Sequence, residues 1–336
     1  MFKRCLTQSI LLLFAIKAFA SCDPLPSWNE GATKKAIMEF VEVTTNPLSP
    51  DFVSPENRIA TFDQDGTLWV SHPMYTQVIY SLDRVSMVVK ENPELADVEP
   101  FKIVLARNND SIAKLSTDDL LKIIVTTLMG MTTDAFQEDV KKWLEMARHP
   151  RWKRPYTELT YLPMIELLEY MRANEYKTYI VTGGGQDFVR VYAEKVYGIL
   201  PEQVVGSIGG ISYGYDKQGK PILIKDPKLL LNDNNAGKPE GIHIIIGRRP
   251  YAAFGNSIGD QQMLEYTKAG SGKRLAMLVL HDDAKREYAY GPAKGLPDTN
   301  VGTFTQQLYD EAMRQGWIVI SMKDDWKNIF TFDSNP

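Results

Sequence analysis

Three times in this chain a short apolar run breaks off into a polar, glycine-rich turn. Arg58-Ile59-Ala60-Thr61-Phe62 ends in Asp63-Gln64-Asp65-Gly66-Thr67. Thr178-Tyr179-Ile180-Val181 ends in Thr182-Gly183-Gly184-Gly185. Tyr251-Ala252-Ala253-Phe254-Gly255 ends in Asn256-Ser257-Ile258-Gly259-Asp260. Short continuous apolar runs bounded by turn residues read as fully buried strands. Helical patterns lie between and after them, from Met164 to Arg172, Gln186 to Val196, Lys238 to Ile246 and onward from Asp260. Strands alternating with helices predict an α/β fold, a doubly wound parallel sheet covered on both faces. Ligands of such sheets gather beyond the carboxyl ends of the strands. Asp63, Asp65, Thr182, Asn256 and Asp260 are therefore expected on one rim.

The remaining pattern sets the domain boundaries. A helix is expected from Trp28 to about Thr45, with Ile37, Phe40 and Val41 on one face. Ile211 to Ile224 reads as a hairpin turning at Asp216-Lys217-Gln218-Gly219, Leu275 to Leu280 as a strand, Thr305 to Arg314 as a helix and Trp317 to Ile320 as a late strand. Residues 70–156 differ in character: Tyr75 to Val89, Thr117 to Met129 and Thr133 to Ala147 all carry apolar residues at helical spacing. The expected layout is a core of residues 22–69 and 157–336 interrupted by a helical insertion at 70–156.

Residues 1–21 read as an export signal, with Lys3 and Arg4, an apolar run from Ile10 to Ile16, and the small-x-small site Ala18-Phe19-Ala20. Phe19-Ala20-Ser21-Cys22 resembles a lipoprotein box with Phe in place of Leu, so a periplasmic or secreted protein is expected, and a lipid anchor on Cys22 is its one route to a membrane. With Cys5 inside the signal, no disulfide is left to the mature chain. The formal net charge of −4 argues against a dedicated nucleic-acid binder.

The three turns carry chemistry. Two carboxylates two residues apart at a strand end suit Mg²⁺, which takes one or two carboxylates with water and phosphate oxygens. One of them can attack phosphorus, and the other can give and take a proton. Gly66 permits the sharp turn, although a surface Asp-Gly turn has the same sequence. Thr182 before three glycines and a helix suits a phosphate cradle, and equally an N-cap. Lys238 in Gly237-Lys238-Pro239 is placed to neutralise a phosphoryl group, with Lys225 and Lys228 as rivals. Asp260 suits a metal site or a helix cap.

In succession these residues resemble the four motifs of the haloacid dehalogenase superfamily, and most of all its phosphoserine phosphatase-like branch with a helical C1 cap between the first two motifs. The resemblance implies a Rossmann-like core and an exported, Mg²⁺-dependent phosphomonoesterase working through an aspartyl phosphate on small phosphorylated metabolites. It implies Asp63 as nucleophile, Asp65 as general acid and base, Thr182, Gly183 and Lys238 on the phosphoryl oxygens, and Asp63, Asp65, Asp260 and Asn256 at the metal. Asn256 departs from the branch, which has an aspartate there, so Asp260 is weighted above it. The presence of Asp65 separates the chain from dehalogenases of this fold, whose halide leaving group needs no acid. Trp69, His72, Tyr75 and Arg84 are candidates for substrate choice: an aromatic cluster for a quaternary amine such as phosphocholine, Arg84 for a carboxylate such as that of phosphoserine, with ordinary packing as the alternative. The four histidines are read as incidental. A phosphotransferase on the same site, and a silent membrane-anchored binding protein, are the other functions the sequence allows.

Overall fold

The computed structural model describes residues 23–112 and 114–334. The export signal and Cys22 lie outside the described residues. Seven strands form one sheet: β1 (Ile59–Phe62), β2 (Lys177–Gly185), β3 (Val204–Tyr215), β4 (Pro221–Leu231), β5 (Ala252–Gly255), β6 (Leu275–Leu280) and β7 (Ile318–Ser321). Their spatial order is β4-β3-β2-β1-β5-β6-β7. Every pairing is parallel except that of β3 with β4. This is the expected doubly wound sheet with one antiparallel edge.

The order follows from burial. All four residues of β1 are buried, as are all of β5 and β6. Such strands must be flanked on both sides and covered on both faces. Phe62 of β1 lies beside Phe254 of β5 in register, and their rings stack 4.5 Å apart. The chain leaves β1 immediately afterwards, and the Asp63 N–H donates to the Phe254 carbonyl at 2.8 Å.

Boundaries shift where side chains find better partners than a helix offers. The first helix begins at Ala32, not Trp28. Trp28 instead bridges to Trp326 and donates its indole N–H to the Pro163 carbonyl at 2.9 Å. β2 does not stop at Val181 but continues through Thr182 and the glycines to Gly185, with an irregular register against β3 there. The hairpin is also longer than Ile211–Ile224, because β3 and β4 pair over most of their length. The Lys238 helix is an α-turn, Gly237–Gly241, that widens into a π-turn over Ile242–Ile246.

Residues 70–156 are helical, as their periodicity predicts: Thr76–Glu91, Thr117–Leu128 and Thr133–Met146, with short turns Phe101–Leu105 and Asn109–Ile112. The insertion has a small core of its own around Val85, Phe101, Val104 and Ile123. Its later helices also pack on the main core through Leu128, Phe136, Val140 and Leu144. The antiparallel hairpin grips it from the sheet edge: Gly130 N–H donates to the Lys225 carbonyl and Lys225 N–H to Met131, at 3.0 and 2.8 Å. Among the described residues no helix is long and apolar enough to cross a membrane.

Candidate active site

The carboxyl ends of β1, β2 and β5 bring the expected residues together. At the centre Lys238 is 2% exposed, and its ammonium donates to Asp63 Oδ1 at 2.5 Å, Asp260 Oδ1 at 2.6 Å and the Val181 carbonyl at 2.8 Å. All three ammonium protons are used. A buried ammonium is tolerable only with such compensation. The two carboxylates hold Lys238 protonated, raising its pKa against the effect of burial. Lys225 and Lys228 are not rivals: Lys225 pairs with Asp187 at 2.6 Å, and Lys228 stays out on the edge strand. Gly237 makes the approach possible, since a Cβ there would lie 1.8 Å from the Asn232 carbonyl oxygen.

The Asp63–Trp69 turn folds back on itself. The Gln64 carbonyl accepts from the Leu68 N–H at 2.9 Å, and the Gly66 N–H donates to the Trp69 carbonyl at 2.8 Å. Gly66 has φ +83°, and a Cβ there would press on the Asn256 carboxamide at 2.2 Å. Trp69 is not a substrate aromatic. It is buried, stacks on Tyr192 at 4.7 Å and donates its indole N–H to Asp65 Oδ1 at 2.8 Å. That leaves Asp65 Oδ2 without a protein donor among the described residues. Burial pushes the Asp65 carboxyl up to about 6, with the Trp69 bond and Lys238 opposing. Burial also pushes Asp63 up to about 7, Asp260 adding to the shift and Lys238 opposing it.

The Asn256–Asp260 turn reverses the weighting of its two end residues. Both oxygens of Asp260 are engaged: Oδ1 by Lys238, Oδ2 by the Asn256 and Ser257 N–H groups at 2.9 and 3.0 Å. It positions Lys238 and caps its own turn. Asn256 instead places one terminal atom of its carboxamide 3.1 Å from the Asp65 carbonyl oxygen and 3.2 Å from Asp63 Oδ2. The Thr67 hydroxyl donates to Asn256 Oδ1 at that corner, at 3.3 Å. With oxygen there, it lies 3.1 and 3.2 Å from the other two oxygens, close to the ~3 Å edge of an octahedron with ~2.1 Å metal–oxygen bonds. With nitrogen there, the amide donates to the other two. Among the described residues no group of three or more His, Cys, Asp and Glu side chains could hold a metal. The donor set that fits Mg²⁺ is mixed: one carboxylate, one main-chain carbonyl and one carboxamide.

Thr182 sits beside these groups, 1% exposed, its hydroxyl accepting from the Gly184 N–H at 3.0 Å. Gly183 is covered by Asn234, and its carbonyl accepts from Ser207 Oγ at 2.8 Å.

The histidines are not all incidental. His281, at the end of β6, bonds the Gly66 carbonyl through Nε2 at 2.8 Å and Glu287 through Nδ1 at 3.1 Å, all buried. A carbonyl only accepts, so Nε2 carries the proton that meets Gly66. Tyr290 stacks on His281 at 4.2 Å and on His72 at 3.6 Å. The turn bearing the two aspartates is thus braced from a segment some two hundred residues on. Nothing in the local sequence of His281 signals this; only the parallel order, which puts the ends of β1 and β6 on one rim, could have pointed to it. Arg84 does not reach the site. It bonds Asp139 and the Thr127 carbonyl inside the insertion. A cavity of roughly 530 Å³ bordered by Glu138, Lys141, Arg190 and Glu202 lies apart from these carboxylates.

A profile of the family described as haloacid dehalogenase-like hydrolase matches residues 60–265. Similar solved structures include a conserved functionally unknown protein from Anaerococcus prevotii DSM 20548, 17% identical over 75% of this chain and 86% of that one, with a TM-score of 0.48. A protein of unknown function from Bordetella pertussis Tohama I is 14% identical over 79% and 98%, with a TM-score of 0.47. A phosphoserine phosphohydrolase-like protein from Francisella tularensis subsp. tularensis SCHU S4 is 15% identical over 67% and 88%, with a TM-score of 0.37. Comparison with curated proteins returns no match.

Proposed function

Because the chain belongs to the haloacid dehalogenase-like hydrolase family, we propose that it is a phosphomonoesterase whose nucleophile is Asp63 and whose general acid and base is Asp65. The observation that carries this reading is the division of labour within one turn. Asp63 is held by a buried lysine, while Asp65, two residues on, has one oxygen fixed by Trp69 and the other free.

Asp63 Oδ2 faces the Asn256 and Asp65 carbonyl corner, which leaves Oδ1 as the attacking oxygen. Oδ1 forms the bond to phosphorus, and the bond from phosphorus to the leaving oxygen breaks. Asp65, whose raised pKa favours the protonated acid, delivers a proton from Oδ2 to that oxygen. The resulting carboxylate then takes a proton from the water that attacks phosphorus, releasing inorganic phosphate and restoring Asp63. As Oδ1 bonds to phosphorus, the Lys238 proton that it accepted turns to a phosphoryl oxygen, and the Thr182 hydroxyl and the Gly183 main chain meet the others. Asp63 Oδ2, the Asp65 carbonyl and Asn256 would hold Mg²⁺; when bound, the ion supplies positive charge that keeps Asp63 ionised and offsets the phosphoryl charge. Asp260 keeps Lys238 in place. The helices of residues 70–156 act as the cap over this site, and the charged start and apolar run of residues 1–21 support export.

The test is phosphate release by residues 23–336 from small phosphomonoesters, with and without Mg²⁺, beside Asp63→Asn. Metal-dependent turnover that disappears in the variant is expected. Turnover that survives Asp63→Asn overturns the assignment.

A further inference from the structure

The substrate's leaving group must lie against Asp65 Oδ2, so the side chains around that atom decide what the leaving group is. Gln77, in the first turn of helix Thr76–Glu91, reaches out of the insertion to the core, where its Oε1 accepts from the Gly185 N–H at 2.6 Å. A methyl group built on Gly184 would lie 3.3 Å from Thr182 Oγ1, 3.4 Å from Gln77 Oε1 and 3.9 Å from Asp65 Oδ2. The carboxamide therefore borders the same small volume as the hydroxyl of the phosphate cradle and the free oxygen of Asp65. Its Nε2 has no partner among the described residues and remains a donor. Tyr75 stands on the same side: its oxygen accepts from the Gly302 N–H at 2.7 Å, which leaves its own proton to give. Gly302 in turn lies against the rim, since a Cβ there would sit 3.1 Å from the Asn256 carboxamide, and burial, with the charges of Asp65, Asp63 and Asp260 adding to it, raises the Tyr75 hydroxyl.

Arg84, Lys225 and Lys238 are each committed elsewhere. Arg84 pairs with Asp139. Lys225 pairs with Asp187 and lies 4.5 Å over the Phe136 ring. Lys238 is the one cation among the described residues whose charge lowers Asp65, and its three protons are spent on Asp63, Asp260 and Val181. A carboxylate on the leaving group would meet Asp65 with no free countercharge, which disfavours it. A quaternary amine would need an open aromatic face, and Trp69 has given one face to Tyr192 and its N–H to Asp65.

Resting on the phosphatase reading above, we propose that Gln77 is a specificity-determining residue and that the substrates are phosphate esters of neutral, hydroxylated alcohols, of the polyol or sugar kind. Gln77 and Tyr75 donate to the hydroxyl oxygens of the leaving group, and an acidic leaving group would meet Asp65 with Arg84, Lys225 and Lys238 already paired.

The experiment compares kcat/KM for glycerol phosphate, phosphoglycerate, phosphocholine and p-nitrophenyl phosphate, with inorganic phosphate as competitive inhibitor, in the wild type, Gln77→Ala and Gln77→Arg. The wild type is expected to favour glycerol phosphate over phosphoglycerate and phosphocholine by about tenfold or more. Gln77→Ala should lower kcat/KM for glycerol phosphate about tenfold while inhibition by phosphate changes by less than about twofold, which also reports an intact cradle. Gln77→Arg should narrow or reverse the preference against phosphoglycerate. A wild type that favours phosphoglycerate or phosphocholine overturns the inference, as does a Gln77→Ala variant that weakens phosphate inhibition as much as it weakens turnover. If no ester is turned over, p-nitrophenyl phosphate included, it is the phosphatase reading that fails, and the inference falls with it.

Discussion

The strand-end rim and the helical insertion face one another across the same small volume, yet they are built on opposite terms. On the rim the central charges answer one another: Lys238 joins Asp63 to Asp260, and Asp260 caps the turn that carries Asn256. In the insertion the charged residue that looked ready for a substrate is spent on packing. Arg84 is held by Asp139, which also accepts from the Tyr80 hydroxyl at 2.8 Å. What reaches the site is an uncharged amide, Gln77. The rim fixes the reaction, and the insertion, by offering it an amide with Arg84 spent on Asp139, restricts the substrate.

Substitutions at four positions can break or sharpen that contrast. Asp63→Asn should cost about a thousandfold or more in kcat without unfolding the protein, because it removes the nucleophile and keeps the shape. Lys238→Met should lower kcat and also destabilise the fold by about 3–5 kcal/mol, since it strands two buried carboxylates; urea denaturation measures it. If Lys238→Met left stability unchanged, the rim would not be the closed charge network described here. Arg84→Ala should cost stability, about 1–3 kcal/mol given a half-exposed partner, while leaving the ranking of substrates untouched. A changed ranking would put Arg84 in the leaving-group pocket after all. His281→Ala should lower kcat about tenfold with KM little altered, and His281→Gln should recover part of the loss, since an amide N–H can still meet the Gly66 carbonyl. Equal effects on kcat and KM would mean that the brace acts on the whole fold, not on the nucleophile turn.

The smallest expected effect concerns Asp233, a buried carboxyl near the rim. Burial raises its pKa to about 8 in the folded chain, with Lys238 opposing the shift and Asp63 adding to it. The folded state then holds a proton that the unfolded state releases near pH 4. Stability therefore falls as pH rises from about 4 to about 8 and is level above that. Asp233→Asn should flatten this slope, raising the melting temperature at pH 8 and hardly at pH 4. A parallel pH dependence in the two proteins would contradict it.

What could be read from the sequence divides along the same line as the molecule. The positions of Asp63, Asp65, Thr182, Asn256 and Asp260 follow from main-chain topology, because the carboxyl ends of buried parallel strands form one rim whatever the side chains do, whereas Lys238, in a turn after the antiparallel edge strand, was placed by its motif alone. The relative weight of Asn256 and Asp260 did not follow from topology. It turned on which carboxylate Lys238 would claim, and Asp260 lies close enough to Gly255 that a Cβ there would sit 2.5 Å away. In the insertion, helical spacing located the helices but not the direction of Arg84, which depends on Asp139; that of Trp69, in the core turn before the insertion, depends on Tyr192. His281 escaped notice for a similar reason: its partners, Gly66 and Glu287, belong to different parts of the chain.

The most direct measurement is to mix enzyme with a phosphate-labelled ester and Mg²⁺, quench in acid within a single turnover, and map the label by peptide mass. The label should appear on the peptide that carries Asp63, as a hydroxylamine-sensitive acyl phosphate, and be absent from Asp63→Asn. Label on another residue, or turnover with no labelled peptide at any time, would contradict nucleophilic catalysis by Asp63.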